Sequence, residues 1–450
     1  MPEITGDVTG EVTELLQLLI RNACVNDGTR DSGGELRNAD LLASYLEGTE
    51  IDMQLFEPVP GRASLVARIE GSDPAAPSLV LMGHTDVVPV NADRWREDPF
   101  GGELIDGEVW GRGAVDMLNL TSSMAVAIRR LLSEGFRPKG TLIYLAVADE
   151  EALGTHGAKW LTEQHPDVVQ ADYVVTEFGG VRLPLPSTTG PKVPVMVAEK
   201  GSYWCTLRVT GTPSHASMPL RTDNAVVKAA EVVRRLAEYR PQTRLEEVWR
   251  RFVDAADFPD EMRAALSDPE QVGRFVESAP DIGLARMMHA ATHTTFAPTV
   301  VRGGTKTNII PDAVELQVDV RTLPGVAGAD ARAMLQEALG DLADSVEIVA
   351  QSDDQSSASP QDTPLWDSLT RVTSRLMPDV GVVPFLLVGA TDARFFRRIG
   401  STAYGYGLLS DRIAFPEFMT MFHGDNERVD VESLRLCAEL WMGLIQDLLG

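Results

Sequence analysis

Basic side chains are in short supply: 40 lysines and arginines face 66 aspartates and glutamates, a net charge of −26. A general nucleic-acid or anionic-membrane surface needs basic patches, so neither partner is expected. The acidity serves solubility and by itself points to no substrate. Cysteine is scarcer still, with only Cys24, Cys205 and Cys437 in 450 residues. They are far apart, odd in number and form no CxxC pair. That speaks against a disulfide framework and a thiolate zinc site, and favours a reducing, cytoplasmic setting. The opening "MPEITGDVTGEVTELLQLLIRNACV" lacks a basic segment ahead of an apolar one, so no secretory leader is expected. No run approaches the ~20 apolar residues of a membrane span. Internal repeats and long low-complexity tracts are also missing.

What the chain does have is the composition of a soluble globular protein, 44% apolar and 24% charged, at a length that suits two or three domains. Apolar residues recur at helical spacing from Val8 to Ala23. "SLVARIE", "SLVLMGH", "TLIYLAVA" and "ADYVVTE" read as strands. Helices are expected over about 120–134 and 157–164. This alternation makes residues 1–198 the first part of an α/β domain with a mostly parallel sheet flanked by helices. From "VAEKGSYWCTLRVTG" the pattern changes to strands with one solvated face. "SYWCTLRV", "NAVVKAAEVVRRLAEY", "VELQVDVRT", "ADARAMLQEALGDLA" and "VEIVAQ" outline an inserted, smaller α+β unit over 199–351. The polar stretch "SDDQSSASPQD" then leads into 352–450, which completes the first domain.

Four strand ends or adjoining loops in the first domain carry residues able to bind metal. "LVLMGHTDVVP" ends a buried strand at His84, with Asp86 two residues on. "GRGAVDM" places Asp116 in a glycine-rich loop before a helix. "LAVADEE" ends in Asp149, Glu150 and Glu151, and "YVVTE" ends in Glu177. Near the C-terminus "MFHGDNERV" adds His423. The carboxyl ends of strands in an open α/β sheet are where ligands bind, so residues distant in sequence can converge there. Three adjacent acids at the mouth of a core strand cost free energy unless a cation offsets them. Mixed histidine and carboxylate ligands suit zinc, and also cobalt or manganese.

"GHTDVVP", "GRGAVDM", "ADEEALGTHGA", "VVTE" and "FHGDNERV" occur in the order found in the aminoacylase/carboxypeptidase family of dinuclear zinc metallopeptidases, which the chain resembles over nearly its whole length. The resemblance implies a zinc-peptidase-like catalytic domain and makes the inserted unit a lid and dimerisation domain. It implies two divalent ions, with Asp116 bridging them, His84 and Glu177 on one, and Glu151 and His423 on the other. Asp86 would orient His84 through its second nitrogen. Glu150 would be the general base for a metal-bound hydroxide, and Asp149 would cap a helix or bond nearby backbone. In the lid, His215 in "PSHASMP" would stabilise the tetrahedral oxyanion, often across a dimer. Asn308 and Arg321 would hold the substrate carbonyl and carboxylate, although Arg321 also fits a surface ion pair. "GATDARFFRRIG" adds Arg394 as a second partner for a substrate carboxylate, with Asp392 beside it as an alternative local mate. His156, His165, His289 and His293 lack any such context and read as structural.

The implied activity is hydrolysis of amide bonds in a small peptide or N-acyl amino acid. "GATDARFF" inclines the reading toward a dipeptidase or carboxypeptidase; an N-acyl-amino-acid deacylase is the alternative. A catalytically silent binding protein of the same fold is the third, although every expected position is filled. One departure stands out: Leu118 and Asn119 follow "GRGAVDM" where the family usually carries lysine and glycine. The stretch 241–293 is longer than a minimal lid and matches no readable motif.

Overall fold

The computed structural model describes residues 7–279 and 281–450. The first six residues of the stretch read above for a leader, and Pro280, lie outside the described residues. Among those described, nine strands form the larger sheet. Its middle is parallel: Leu79–His84 pairs in that sense with Leu142–Val147 on one side and Tyr173–Thr176 on the other. Thr402–Gly405 continues the parallel run. Antiparallel strands Asp52–Val59 and Arg62–Ile69 flank one side, and Lys192–Glu199 meets Thr402–Gly405 antiparallel on the other. Strands Leu79–His84 and Leu142–Val147 are buried at every residue. Their unbroken apolar runs reflect cover on both faces.

The main covering helices are Val8–Arg21, Leu118–Ser133 and Val431–Leu449. Asp7 caps the first by accepting from the Gly10 amide at 2.8 Å. Leu118–Ser133 buries nearly all of its side chains, polar ones included. It is sandwiched between the sheet and the other two helices. Gly83 permits this closeness. A Cβ there would lie 2.3 Å from Thr121 Oγ1 and 3.1 Å from Thr121 Cα.

The inserted unit has its own four-stranded sheet, in the order Thr295–Gly303, Ala313–Thr322, Gly201–Thr210, Val346–Asp354. Helices Ala225–Glu238 and Gly328–Leu339 cover one face, closing a separate core around Leu207, Val232, Leu316 and Leu335. Burial alternates along Ala313–Thr322, as a strand with one solvated face requires. The stretch that matched no motif forms four helices, Glu247–Ala255, Asp260–Leu266, Pro269–Ser278 and Ile282–Thr292. These pack into the core of the larger domain through Trp249, Phe252, Val272 and Met288. Phe252 meets Phe385 of strand Gly381–Leu387 edge-on at 4.8 Å.

Candidate metal centre

His84 ends the central strand with its ring buried. Its backbone is pinned on both sides: the carbonyl accepts from Thr121 Oγ1 at 2.9 Å and the amide donates to Met117 Sδ at 3.2 Å. Nε2 lies 3.2 Å from Asp116 Oδ1 and 3.7 Å from Glu177 Oε2. Across Asp116, His423 Nε2 lies 3.4 Å from Oδ2 and 3.2 Å from Glu151 Oε2. The result is two groups that could each hold a metal ion, His84–Asp116–Glu177 and Asp116–Glu151–His423, sharing one carboxylate. Five residues contributed from strand ends and loops, up to 339 positions apart (His84 to His423), thus meet at one edge of the sheet.

Asp86 acts differently from the expectation. His84 Nδ1 bonds the Asp86 backbone carbonyl at 2.9 Å, while the carboxylate stands 3.7 Å away. That carboxylate accepts instead from the amides of Glu150 and Glu151 at 3.2 and 3.1 Å, and from Asn26 Nδ2 at 2.8 Å. Asp86 therefore fixes the tautomer of one ligand and the backbone of the next two acids. Asp149 makes no helix cap. It has φ 71°, takes the His156 amide at 2.8 Å, and pairs with the buried Arg62, which also holds Glu35.

Glu427 escaped the sequence reading. Its buried carboxylate accepts four donors: Arg112 Nη1 at 2.8 Å and the amides of Gly113, Val115 and Asp116 at 3.0, 2.7 and 3.0 Å. It ties the shared ligand's loop to the His423 loop. Its only sequence signal is a place four residues after His423.

Burial and mutual repulsion dominate the electrostatics. Burial lifts Glu151 to about 7 and Glu177 to about 8, with the charge of Asp116 adding to both. Glu150 is raised well above the carboxylate range by burial and then by Glu177. Burial also acts on Asp116, but hydrogen bonds from His423 and His84 more than offset it and hold its pKa low. His423 is pushed up to about 10 by its contacts with Asp116 and Glu151. Glu151 Oε1 is buried without a hydrogen-bond partner among the described residues. Four clustered carboxylates, one with an orphaned oxygen, facing two imidazoles are a donor set that fits two divalent cations.

The lid candidates lie elsewhere. His215 and Asn308 sit on the neighbouring short strands Ser214–His215 and Ile309–Ile310, or just before them, and both are exposed. His215 Nδ1 lies 2.7 Å from Ser217 Oγ. Arg321 is held by Asp319 at 2.8 Å and lies over the Trp204 ring. Arg394 is buried, ion-paired to Asp354 at 2.9 Å and bonded to the Leu153 carbonyl at 3.2 Å. Asp392 does not bond Arg394; neither of its oxygens has a hydrogen-bond partner among the described residues. Burial raises it to about 7. His289 and His293 stack on each other at 4.4 Å, and His165 packs on Phe56 and Trp160, all as structural residues do.

Beside the ligands opens a cavity of about 570 Å³. Glu177 and Gly389 line it, and its walls are otherwise nearly all apolar, including Leu120, Phe178, Met196, Phe385 and Phe422. Phe178, next to Glu177, stacks on Phe422, next to His423, at 5.1 Å. Helix Ile282–Thr292 supplies one wall through Met287 and Ala290.

Residues 80–447 match the model of Peptidase family M20/M25/M40. The human N-fatty-acyl-amino acid synthase/hydrolase PM20D1 is 28% identical over 397 residues, 84% of this chain and 76% of that protein. Mouse aminoacylase-1 is 25% identical, over 94% of this chain and 92% of its own length. Among solved structures, an M20 family metallo-carboxypeptidase from Sulfolobus solfataricus superposes with a TM-score of 0.72 over 99% of both chains, at 16% identity.

Proposed function

Because the chain belongs to Peptidase family M20/M25/M40 and is a metal-dependent hydrolase of amide bonds, we propose that its preferred substrates are amino acids N-acylated with a long apolar chain. The observation that carries this reading is the cavity opening on Glu177. At about 570 Å³ the cavity falls within the roughly 300–1,000 Å³ of small-molecule sites, and its almost wholly apolar lining suits an alkyl chain. Two of the relatives, by name an N-fatty-acyl-amino acid synthase/hydrolase and an aminoacylase, support this substrate class. A dipeptidase or carboxypeptidase activity is the second reading, supported by Gly389 of "GATDARFF" in the cavity wall.

His84, Asp116 and Glu177 would hold one ion, and Asp116, Glu151 and His423 the other. When bound, two divalent cations, zinc in this reading with cobalt or manganese as substitutes, polarise the amide carbonyl and acidify water. Glu150 takes the proton of the attacking water and passes it to the departing amine. Asp86 holds the Glu150 and Glu151 backbone in place for this. The smaller domain serves as a lid that brings His215 to the oxyanion and Asn308 to the carbonyl. Arg321 and Arg394 would have to leave Asp319 and Asp354 to meet a carboxylate. The exposed Met218, Leu220 and Val227 of the lid, together with its free edge strand Thr295–Gly303, support pairing of two copies there. Three unpaired, buried cysteines support a cytoplasmic setting.

The test is a panel of N-acetyl, N-hexanoyl and N-dodecanoyl amino acids and apolar dipeptides, assayed with zinc, cobalt or manganese and after chelation. Each methylene entering an apolar site contributes up to ~0.8 kcal/mol, so kcat/KM for the dodecanoyl substrate should exceed that for acetyl by roughly 10²-fold or more. Dipeptides cleaved faster than every acyl amino acid would favour the second reading. Metal-independent turnover would sink both.

A further inference from the structure

Arg62 and Glu35 lie outside both metal groups, yet they converge on the turn that carries Glu150 and Glu151. Arg62 opens strand Arg62–Ile69 and Glu35 precedes helix Leu36–Leu46; with Asp149 they are 2%, 0% and 2% exposed. Each polar atom of Asp149 is held. Its amide donates to Glu35 Oε1 at 3.2 Å, and its carbonyl accepts from the Gly154 amide at 2.7 Å. Oδ1 accepts from Arg62 Nη2 at 2.5 Å and Asn26 Nδ2 at 3.2 Å, and Oδ2 from the His156 amide at 2.8 Å. Arg62 Nε pairs with Glu35 at 2.8 Å and completes the ring of contacts. Asn26 donates as well to Asp86, whose carboxylate holds the amides of Glu150 and Glu151. Two anchors therefore grip one turn, Arg62 and Glu35 at Asp149 and Asp86 at the next two residues.

A buried ion trio is a poor source of stability, since apolar residues of like volume often serve as well. It can, however, fix the amide and the carboxylate of one residue at once. Asp149 sits at φ 71°, a left-handed conformation that a residue other than glycine keeps only where its surroundings hold it. A return to negative φ would redirect the chain and carry the following two side chains away from Asp116. Glu35 makes no side-chain cap for its own helix, although a carboxylate is favourable there; its contacts go to Arg62 and Asp149 instead. Arginine suits the junction because its planar fork meets both acids, which the single point charge of lysine does not. Resting on the roles given above to Glu150 and Glu151, we propose that Arg62, together with Glu35, is a positioning residue that sets the direction of both acids, and through them kcat and metal affinity.

The experiment uses the full chain as Arg62→Lys, which keeps the charge and removes the fork, and as Glu35→Gln, which keeps the shape. Kinetics at saturating metal, cobalt titration of the apoprotein and thermal unfolding are read together, with the best substrate of the panel above. Arg62→Lys should stay folded at the assay temperature, lose roughly 10–100-fold in kcat with KM little changed, and bind cobalt roughly 10-fold more weakly. Glu35→Gln should lose less in the same direction. A trio that only stabilises the fold predicts a lowered Tm with kcat per folded molecule intact, and that result overturns the proposal. Wild-type kcat and cobalt affinity in folded Arg62→Lys overturn it too. Should Arg62→Lys not fold, Glu35→Gln decides by the same criteria. Full turnover in Glu150→Gln would remove the roles above and this proposal together; an inactive Glu150→Gln beside an unimpaired Arg62→Lys removes this one alone.

Discussion

In the proposed mechanism the neighbours Glu150 and Glu151 have different duties, proton transfer and metal binding, and substitution separates them. Glu150→Gln should lower kcat by roughly 10²–10⁴-fold while the protein still binds two ions, because it removes proton transfer and leaves the ligand groups whole. Metal analysis beside steady-state kinetics checks both halves; loss of metal in that variant would mean Glu150 is a ligand. Glu427 makes the complementary case. Its charge is shared by three amides and Arg112 around the loop of the common ligand. Glu427→Gln should weaken metal affinity by roughly 10–100-fold with the fold retained, as read by titrating apoprotein with cobalt and following its absorption. An unchanged cobalt titration would show that the loop holds itself. Glu150 is expected as the base from its place immediately before a candidate ligand. Glu427 had no such signal, because a carboxylate 312 residues from its amide partner leaves no local pattern.

At the scale of elements, the junction of strands Lys192–Glu199 and Gly201–Thr210 joins the two sheets, and Lys200 sits in it. Its Nζ donates to the carbonyls of Ala290 and His293 at 2.9 and 2.7 Å, catching the end of the helix that walls the cavity. Burial pulls its pKa from 10.5 to about 7, with Arg321 adding to the shift. Between those values the unfolded chain holds a proton that the folded chain does not, so this group makes stability rise with pH across about 7 to 10.5. Urea unfolding of wild type and Lys200→Met at several pH values in that window tests this: their difference should grow with pH in favour of the wild type. A constant difference would contradict it. The strand and helix periods around this junction were readable, with helix Leu118–Ser133 expected within two residues of its observed start. The four helices between 247 and 292 were not, since that stretch matched no readable motif, and an amphipathic pattern in any case does not say against which domain its apolar face is buried.

For the molecule as a whole, the ligand groups join the start, middle and end of the larger domain, so metal should act as a structural cross-tie. Chelation should lower Tm, and restoring metal to 100 times its Kd should return about 2.7 kcal/mol per site, measured by calorimetry. Part of that gain should come from relieving the burial penalty, and the lesser repulsion from Asp116, that raise Glu151 and Glu177. A Tm indifferent to chelator would argue that the groups bind no ion.

The order of five motifs, each after an apolar strand or in a glycine loop, was enough to indicate the α/β sheet and the seven residues from His84 to His423 that now lie together. These features are local: a strand's period and the residue at its end are written within ten positions of chain. Tertiary structure alone decided that Asp149 answers to Arg62, that Asp86 works through backbone amides, and that Arg394 is spent on Asp354. It alone placed Asn119 in the wall of an apolar cavity. A cavity is a volume left between distant elements, and a buried charge is defined by what surrounds it; neither quantity exists until the chain has packed.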